Sequence, residues 1–140
     1  MLSEAEKIAV RDAVRAAELN TSGEIRVHVD RDCEGDPVQR AVEVFEKLEM
    51  HATALKNGVL IYVAFNSKKL AIIGDSGINE KVEADFWNST RDKLVNAFKS
   101  GDYAKGICAA VEEAGLRLSN FFPRQTNDNN ELSDEISTGL

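Results

Sequence analysis

Seven consecutive apolar residues, Val59 to Phe65, stand between Asn57-Gly58 on one side and Asn66-Ser67-Lys68 on the other. A bilayer-spanning helix needs about 20 apolar residues, so this run is too short to cross a membrane. Turn-forming residues at both ends bound it as a strand. Because no polar residue alternates with the apolar ones, both faces of that strand must be covered. The rest of the chain therefore has to supply helices for two sides of a sheet.

The flanking segments have the right periodicities. Ser3 and Glu6 form a capping box, and Val10, Ala13, Val14 and Ala17 recur at helical spacing until Asn20-Thr21-Ser22-Gly23. Ile25, Val27 and Val29 alternate with Arg26, His28 and Asp30, predicting a strand with one buried face. Asp36 and Pro37 open a second helix as N-cap and first residue, with a stripe running from Ala41 through Val44, Phe45 and Leu48 to Ala52 and Leu55. After the apolar strand, Leu70 to Ile73 returns as the second arm of a hairpin. Two further helices carry stripes through Trp87, Leu94, Val95 and Phe98, then Ile107, Ala110, Val111, Ala114 and Leu118, with Gly101 as the stop and Asp102 as the cap between them.

This order predicts an α/β fold: a small mixed sheet with helices on both faces. The first two strands are parallel across a helical crossover, and the third is antiparallel because its turn is too short for a crossover. At 140 residues, 43% of them hydrophobic, a single domain is expected. It spans residues 1–123, and 124–140 reads as a polar, largely flexible tail.

Twenty-four acidic against 17 basic side chains give a net charge of -7. Such a surface repels phosphates, which argues against nucleic acid and favours cations. Cys33 and Cys108 form no metal-binding or redox motif, and their number does not suggest a disulfide scaffold. The N-terminus lacks the basic start and apolar run of a signal peptide. A reduced, cytoplasmic protein without membrane insertion is expected.

The topology also gathers residues at the two ends of the sheet. One end collects Ser22, Gly23 and Glu24 with Asn57, Gly58, Gly74 and Asp75, and the other collects the Asp30 to Asp36 loop with the Asn66 turn. Hard divalent cations prefer converging carboxylates and carbonyls. The first end therefore offers Glu24 and Asp75, joined by the tail acids Glu131 and Asp134, as a site for Ca2+ or Mg2+. The plainer reading is that Asp75 shapes a turn and Glu24 is solvated. At the second end Asp30, Asp32, Glu34, Gly35 and Asp36 imitate the first half of an EF-hand loop, yet its twelfth position is Ala41, where the bidentate Glu belongs. A weak alternative site at Asp30, Asp32 and Asp36 stays open beside a solvated acidic loop.

Three segments stand together: Thr21-Ser22-Gly23-Glu24-Ile25, Asn57-Gly58-Val59-Leu60-Ile61-Tyr62 and Ile72-Ile73-Gly74-Asp75-Ser76-Gly77-Ile78. In this order and spacing they resemble the TPM domain, named for a thylakoid lumen protein, a photosystem II repair protein and a nematode receptor-associated protein. Phe86-Trp87, Phe121-Phe122-Pro123 and Asn130-Glu131-Leu132 are similar to its short, soluble bacterial branch. The chain departs from that branch at Glu49, where a Gly commonly precedes the Met, and at Ser133, where a Pro commonly precedes Asp134. The resemblance implies a three-layer α/β/α sandwich and calcium binding, as in some members. It also implies acid phosphatase activity, as described for a plant member.

No catalytic constellation is legible beside it. Asp30-Arg31-Asp32 has the form of an aspartate-nucleophile phosphatase, but Glu34 stands where that motif needs Thr or Val. Gly74-Asp75-Ser76-Gly77 has the form of a serine-protease nucleophile segment without the two barrels or the distant triad partners. His28 and His51 are lone histidines, and no GxSxG elbow, P-loop or dinucleotide fingerprint occurs. The expected function is thus a divalent-cation-binding, protein-interaction module. The alternative is a metal-assisted acid phosphatase acting on phosphate monoesters.

Overall fold

The computed structural model of the chain describes residues 2–124 and 135–139. Helix α1 (Glu4–Glu18) opens on the expected capping box: Ser3 Oγ accepts the Glu6 N–H at 3.1 Å, and Glu6 Oε1 accepts the Ser3 N–H at 2.9 Å. Strand β1 (Glu24–Asp30) leads to α2 (Pro37–Lys47), capped by Asp36, and then to β2 (Gly58–Ala64) and β3 (Lys69–Gly74). A one-turn helix α3 (Ser76–Asn79) precedes α4 (Asn88–Ser100) and α5 (Tyr103–Ser119). Gly101, at φ 79°, ends α4 in the left-handed conformation that glycine adopts without steric cost. A two-residue strand β4 (Ser137–Thr138) completes the described chain.

The sheet order is β3-β2-β1-β4. β1 and β2 are parallel, with Glu24 opposite Gly58 and His28 opposite Tyr62, while β2 and β3 are antiparallel, with Val59 opposite Gly74. All seven residues of β2 are buried, as an uninterrupted apolar run requires. Its Val59, Ile61 and Val63 join one core with α1, α4 and α5, and Leu60, Tyr62 and Ala64 join a second core with Ala41, Val44 and Phe45 of α2. Each fully buried Val or Ile contributes roughly 1.5–3 kcal/mol, so the central strand is the main anchor of the sheet. Both cysteines are free thiols.

Three features differ from the sequence expectation. First, β1 does not keep a solvated face: His28 is 0% and Asp30 7% exposed, because their polar atoms pair with one another and with α2. Second, a fourth strand lies beside β1, since two residues are too few to carry a readable alternation. Third, α2 ends at Lys47, and Ala52 and Leu55, expected on its apolar stripe, are exposed.

The cause of that early stop is a Schellman motif. The Met50 N–H reaches the Phe45 carbonyl at 3.1 Å and the Glu49 N–H reaches the Glu46 carbonyl at 3.0 Å, with Glu49 itself at φ 55°. Met50 and Phe45 close the motif inside the α2 core. A non-glycine residue in this conformation costs about 1–2 kcal/mol, and glycine gives part of that back as unfolded-state entropy. Glu49→Gly should therefore raise stability by about 0.5–1 kcal/mol, read as a higher urea midpoint with unchanged slope.

Candidate functional site

The end of the sheet that carries Glu24 is built by register. Glu24 lies opposite Gly58, and the Asp75 N–H donates to the Gly58 carbonyl at 2.9 Å. Glu24 and Asp75 are thus two strand spacings apart, about 10 Å between Cα atoms, with a residue lacking a side chain between them. Ile25, Val27 and Val29 point into the α1/α5 core, so Glu24 points to the α2 side. Asp75 opens on that side too, into a cleft of about 570 Å³ shared with Val42, Phe45, Glu46, His51, Ile73, Gly74 and Asn79.

Asp75 caps α3 through Oδ1, which accepts the Ser76 N–H at 2.7 Å. Its other oxygen, Oδ2, is buried and has no hydrogen-bond partner among the described residues. A buried carboxylate oxygen left without a donor costs about 1–3 kcal/mol, and native proteins keep few of them. Gly77 locks the turn: its N–H donates to the Lys56 carbonyl at 2.8 Å. Glu24 is buried at 3% exposure. The structure thus brings Glu24 and Asp75 to one end and one side of the sheet. Glu131 and Asp134 lie outside the described residues. Among the described residues, no three His, Cys, Asp or Glu side chains gather closely enough to hold a metal ion.

At the other end, the three acids Asp30, Asp32 and Asp36 have separate surroundings. Asp32 is exposed, and Asp36 caps α2 by accepting the Val38 N–H at 2.9 Å. Asp30 points inward, and both of its oxygens are engaged. Oδ1 meets His28 Nε2 at 2.7 Å and Arg40 Nη2 at 3.4 Å; Oδ2 accepts from Tyr62 OH at 2.7 Å and Arg40 Nε at 2.8 Å. Burial alone would raise the Asp30 pKa, but the hydrogen bonds from Arg40, Tyr62 and His28 outweigh it and hold the group at about 2. With its oxygens so committed, the Asp30 carboxylate is a structural anion.

His28 sits between Asp30 and the tail, its Nδ1 2.8 Å from Ser137 Oγ. Burial lowers the His28 pKa against the opposing pull of the Asp30 carboxylate, which favours the neutral ring. An anion at Nε2 requires the proton there, so Nδ1 accepts and Ser137 donates. The order Ser137, His28, Asp30 is that of a hydrolase relay. However, Ser137 is only 8% exposed and sits in the sheet, where a nucleophile would have no substrate.

Arg40, Tyr62 and Ser137 were not legible as partners in the sequence. The available signal was the two-residue spacing of His28 and Asp30, which puts both on one face of a strand, together with a polar-tipped Tyr inside an apolar run. Neither names Arg40, which arrives only when α2 packs across the sheet.

The chain matches the family model for the TPM domain over residues 1–116. No curated protein matches it. Among solved structures it is similar to the BA42 protein of the psychrophilic bacterium Bizionia argentinensis, with 46% identity and a TM-score of 0.93 over 99% of this chain and 96% of that one. Two more distant structures share the fold. One is the N-terminal domain of cg2496 from Corynebacterium glutamicum (12% identity, TM-score 0.66, 97% of this chain and 80% of that one). The other is the N-terminal domain of a protein from P. gingivalis (16% identity, TM-score 0.68, 90% of this chain and 83% of that one). With most of its length matched by the family model, and the same fold in a relative nearly half identical, the chain belongs to the TPM-domain family.

Proposed function

We propose that this protein is a divalent-cation-responsive protein-interaction module whose cation site is centred on Asp75, with Glu24 across Gly58 as its second carboxylate. The observation that carries this reading is the buried Asp75 Oδ2 without a partner. A cation would complete that oxygen, and the neighbouring donors are of the hard oxygen type that Ca2+ and Mg2+ prefer. Glu131 and Asp134 are the tail residues proposed to join them. With few charged ligands the affinity should be weak, a Kd of about 10⁻⁴–10⁻³ M. Bound calcium would neutralise the carboxylates and tie the Asp75 turn to the start of β1. The net charge of -7 supports a cation or protein ligand over nucleic acid. Among the described residues no helix is long and apolar enough to cross a membrane.

The test is an amide NMR titration with calcium, repeated with magnesium. Saturable shifts are expected at Glu24, Gly58 and Asp75 to Gly77, and Asp75→Asn should abolish them. Asn is as good an N-cap as Asp, so that variant keeps α3 intact. Shifts that persist in Asp75→Asn, or none in the wild type, would sink the reading. Metal-assisted hydrolysis of phosphate monoesters is the second reading, supported by family membership, since the family model carries phosphatase in its name. It predicts phosphate-ester turnover that requires the same cation and disappears in Asp75→Asn.

A further inference from the structure

The outer edge of β1 is covered in two different ways. Near its start the Ile25 N–H is taken by the buried carboxylate of Glu18, at 2.9 Å, from the end of α1. Near its end, β4 pairs in parallel, His28 opposite Ser137 and Val29 opposite Thr138. An unpaired strand edge is a template for another strand, and here the occupant is only two residues long. Three contacts describe how it is read. Ile136 packs against the α1/α5 core, Ser137 Oγ meets His28 Nδ1 at 2.8 Å, and Glu135 lies 3.7 Å from Arg11 in an exposed ion pair. The ion pair has an exposed carboxylate and adds little, while the short ladder, one aliphatic side chain and one hydroxyl set how β4 sits on the edge.

We propose that the outer edge of β1 is an acceptor site for an extended peptide strand of a protein partner, and that β4 fills it as an exchangeable internal ligand. Strand addition draws affinity from the main chain and specificity from alternate side chains. The partner strand runs parallel to β1 and presents Ser or Thr opposite His28, with an aliphatic residue immediately before it. The hydroxyl is required because His28 Nδ1 is a buried acceptor whose other nitrogen is held by Asp30. A residue with no donor leaves that nitrogen unsatisfied, and a carboxylate sets a second anion beside Asp30. The proposal extends the interaction half of the function above and does not depend on the cation site.

The test uses the full chain and a labelled peptide copying residues 132–140. Ser137→Ala weakens the internal occupant, so that variant should bind the peptide about tenfold more tightly than the wild type does. A peptide with Ala at the Ser137 position should bind about tenfold more weakly than the Ser peptide. Equal binding of the two peptides, or no saturable binding by the variant, overturns the proposal. Hydrogen exchange on the wild type gives a second readout independent of any substitution. The Ser137 amide, the ladder donor of β4 in this parallel register, should exchange by local opening, well before the amides of β2; exchange only at the rate of global unfolding overturns the proposal as well. Peptide binding that survives in Asp75→Asn, where the calcium shifts are lost, keeps this result separate from the cation reading.

Discussion

Asp30→Ala is expected to lower the unfolding free energy by about 3–5 kcal/mol, the range measured when one partner of a buried ion pair is removed. The substitution leaves Tyr62 OH and His28 Nε2 fully buried without their acceptor, and strips the Arg40 guanidinium of its inward-facing anion. Urea denaturation followed by circular dichroism measures it. A loss under about 1 kcal/mol, the size of an ordinary surface change, would show that the network is not a structural keystone. The pH dependence gives a second signature. Asp30 is held at about 2 in the folded protein, below the usual carboxylate range. The unfolded chain therefore takes up this proton first as pH falls. The contribution is fully present above about pH 5 and is lost as pH drops towards 2, an effect of about 2 kcal/mol. His28 acts in the same sense: its folded pKa is lowered, so stability also falls as pH drops through the ordinary histidine range near about 6.5. The gap between the wild type and Asp30→Ala should accordingly narrow as the solution is acidified.

Gly77→Ala should cost about 2–3 kcal/mol, as overpacking in a closed site does, and should abolish the calcium shifts at Asp75. A methyl carbon at residue 77 would sit 2.2 Å from the Leu55 carbonyl oxygen and 2.5 Å from that of Lys56. Both are backbone atoms, and the second accepts the Gly77 N–H, so neither can withdraw without breaking the turn. The 55–56 segment and the Asp75 cap must separate. Gly35→Ala is the control: a Cβ there meets nothing within 4 Å, and the change should stay within about 0.5 kcal/mol. Thermal unfolding of both variants with the NMR titration separates stability from site geometry. Retained calcium shifts in Gly77→Ala would place the cation elsewhere.

The meeting of Glu24, Gly58 and Asp75 was legible because strand order and direction fix which strand ends share one edge of a sheet. Once Val59 to Phe65 is a central strand with a short return hairpin and a helical crossover behind it, Glu24, Gly58 and Asp75 must come to one end. The register obeys this. What no pattern announced was that Asp75 would cap a one-turn helix with one oxygen and leave the other buried and unpartnered. That depends on the 55–57 segment closing over the turn. The acidic loop shows the converse. Asp30, Asp32 and Asp36 look alike on paper, and they become a buried anion, a solvated side chain and a helix cap according to what packs against each.

By itself the sequence determined the order of α1, β1, α2, β2, β3, α4 and α5, the capping residues Ser3, Asp36 and Asp102, the left-handed stop at Gly101 and the two-sided burial of β2. Each follows from hydrogen bonding or hydrophobic spacing within a few residues. Tertiary structure alone decided the burial of the polar face of β1 and the docking of β4. Those outcomes rest on contacts between residues far apart in the chain, such as Arg40 with Asp30, Tyr62 with Asp30 and Ser137 with His28. A polar residue is stable inside only when its partner arrives from another element, and one-dimensional periodicity does not carry that information.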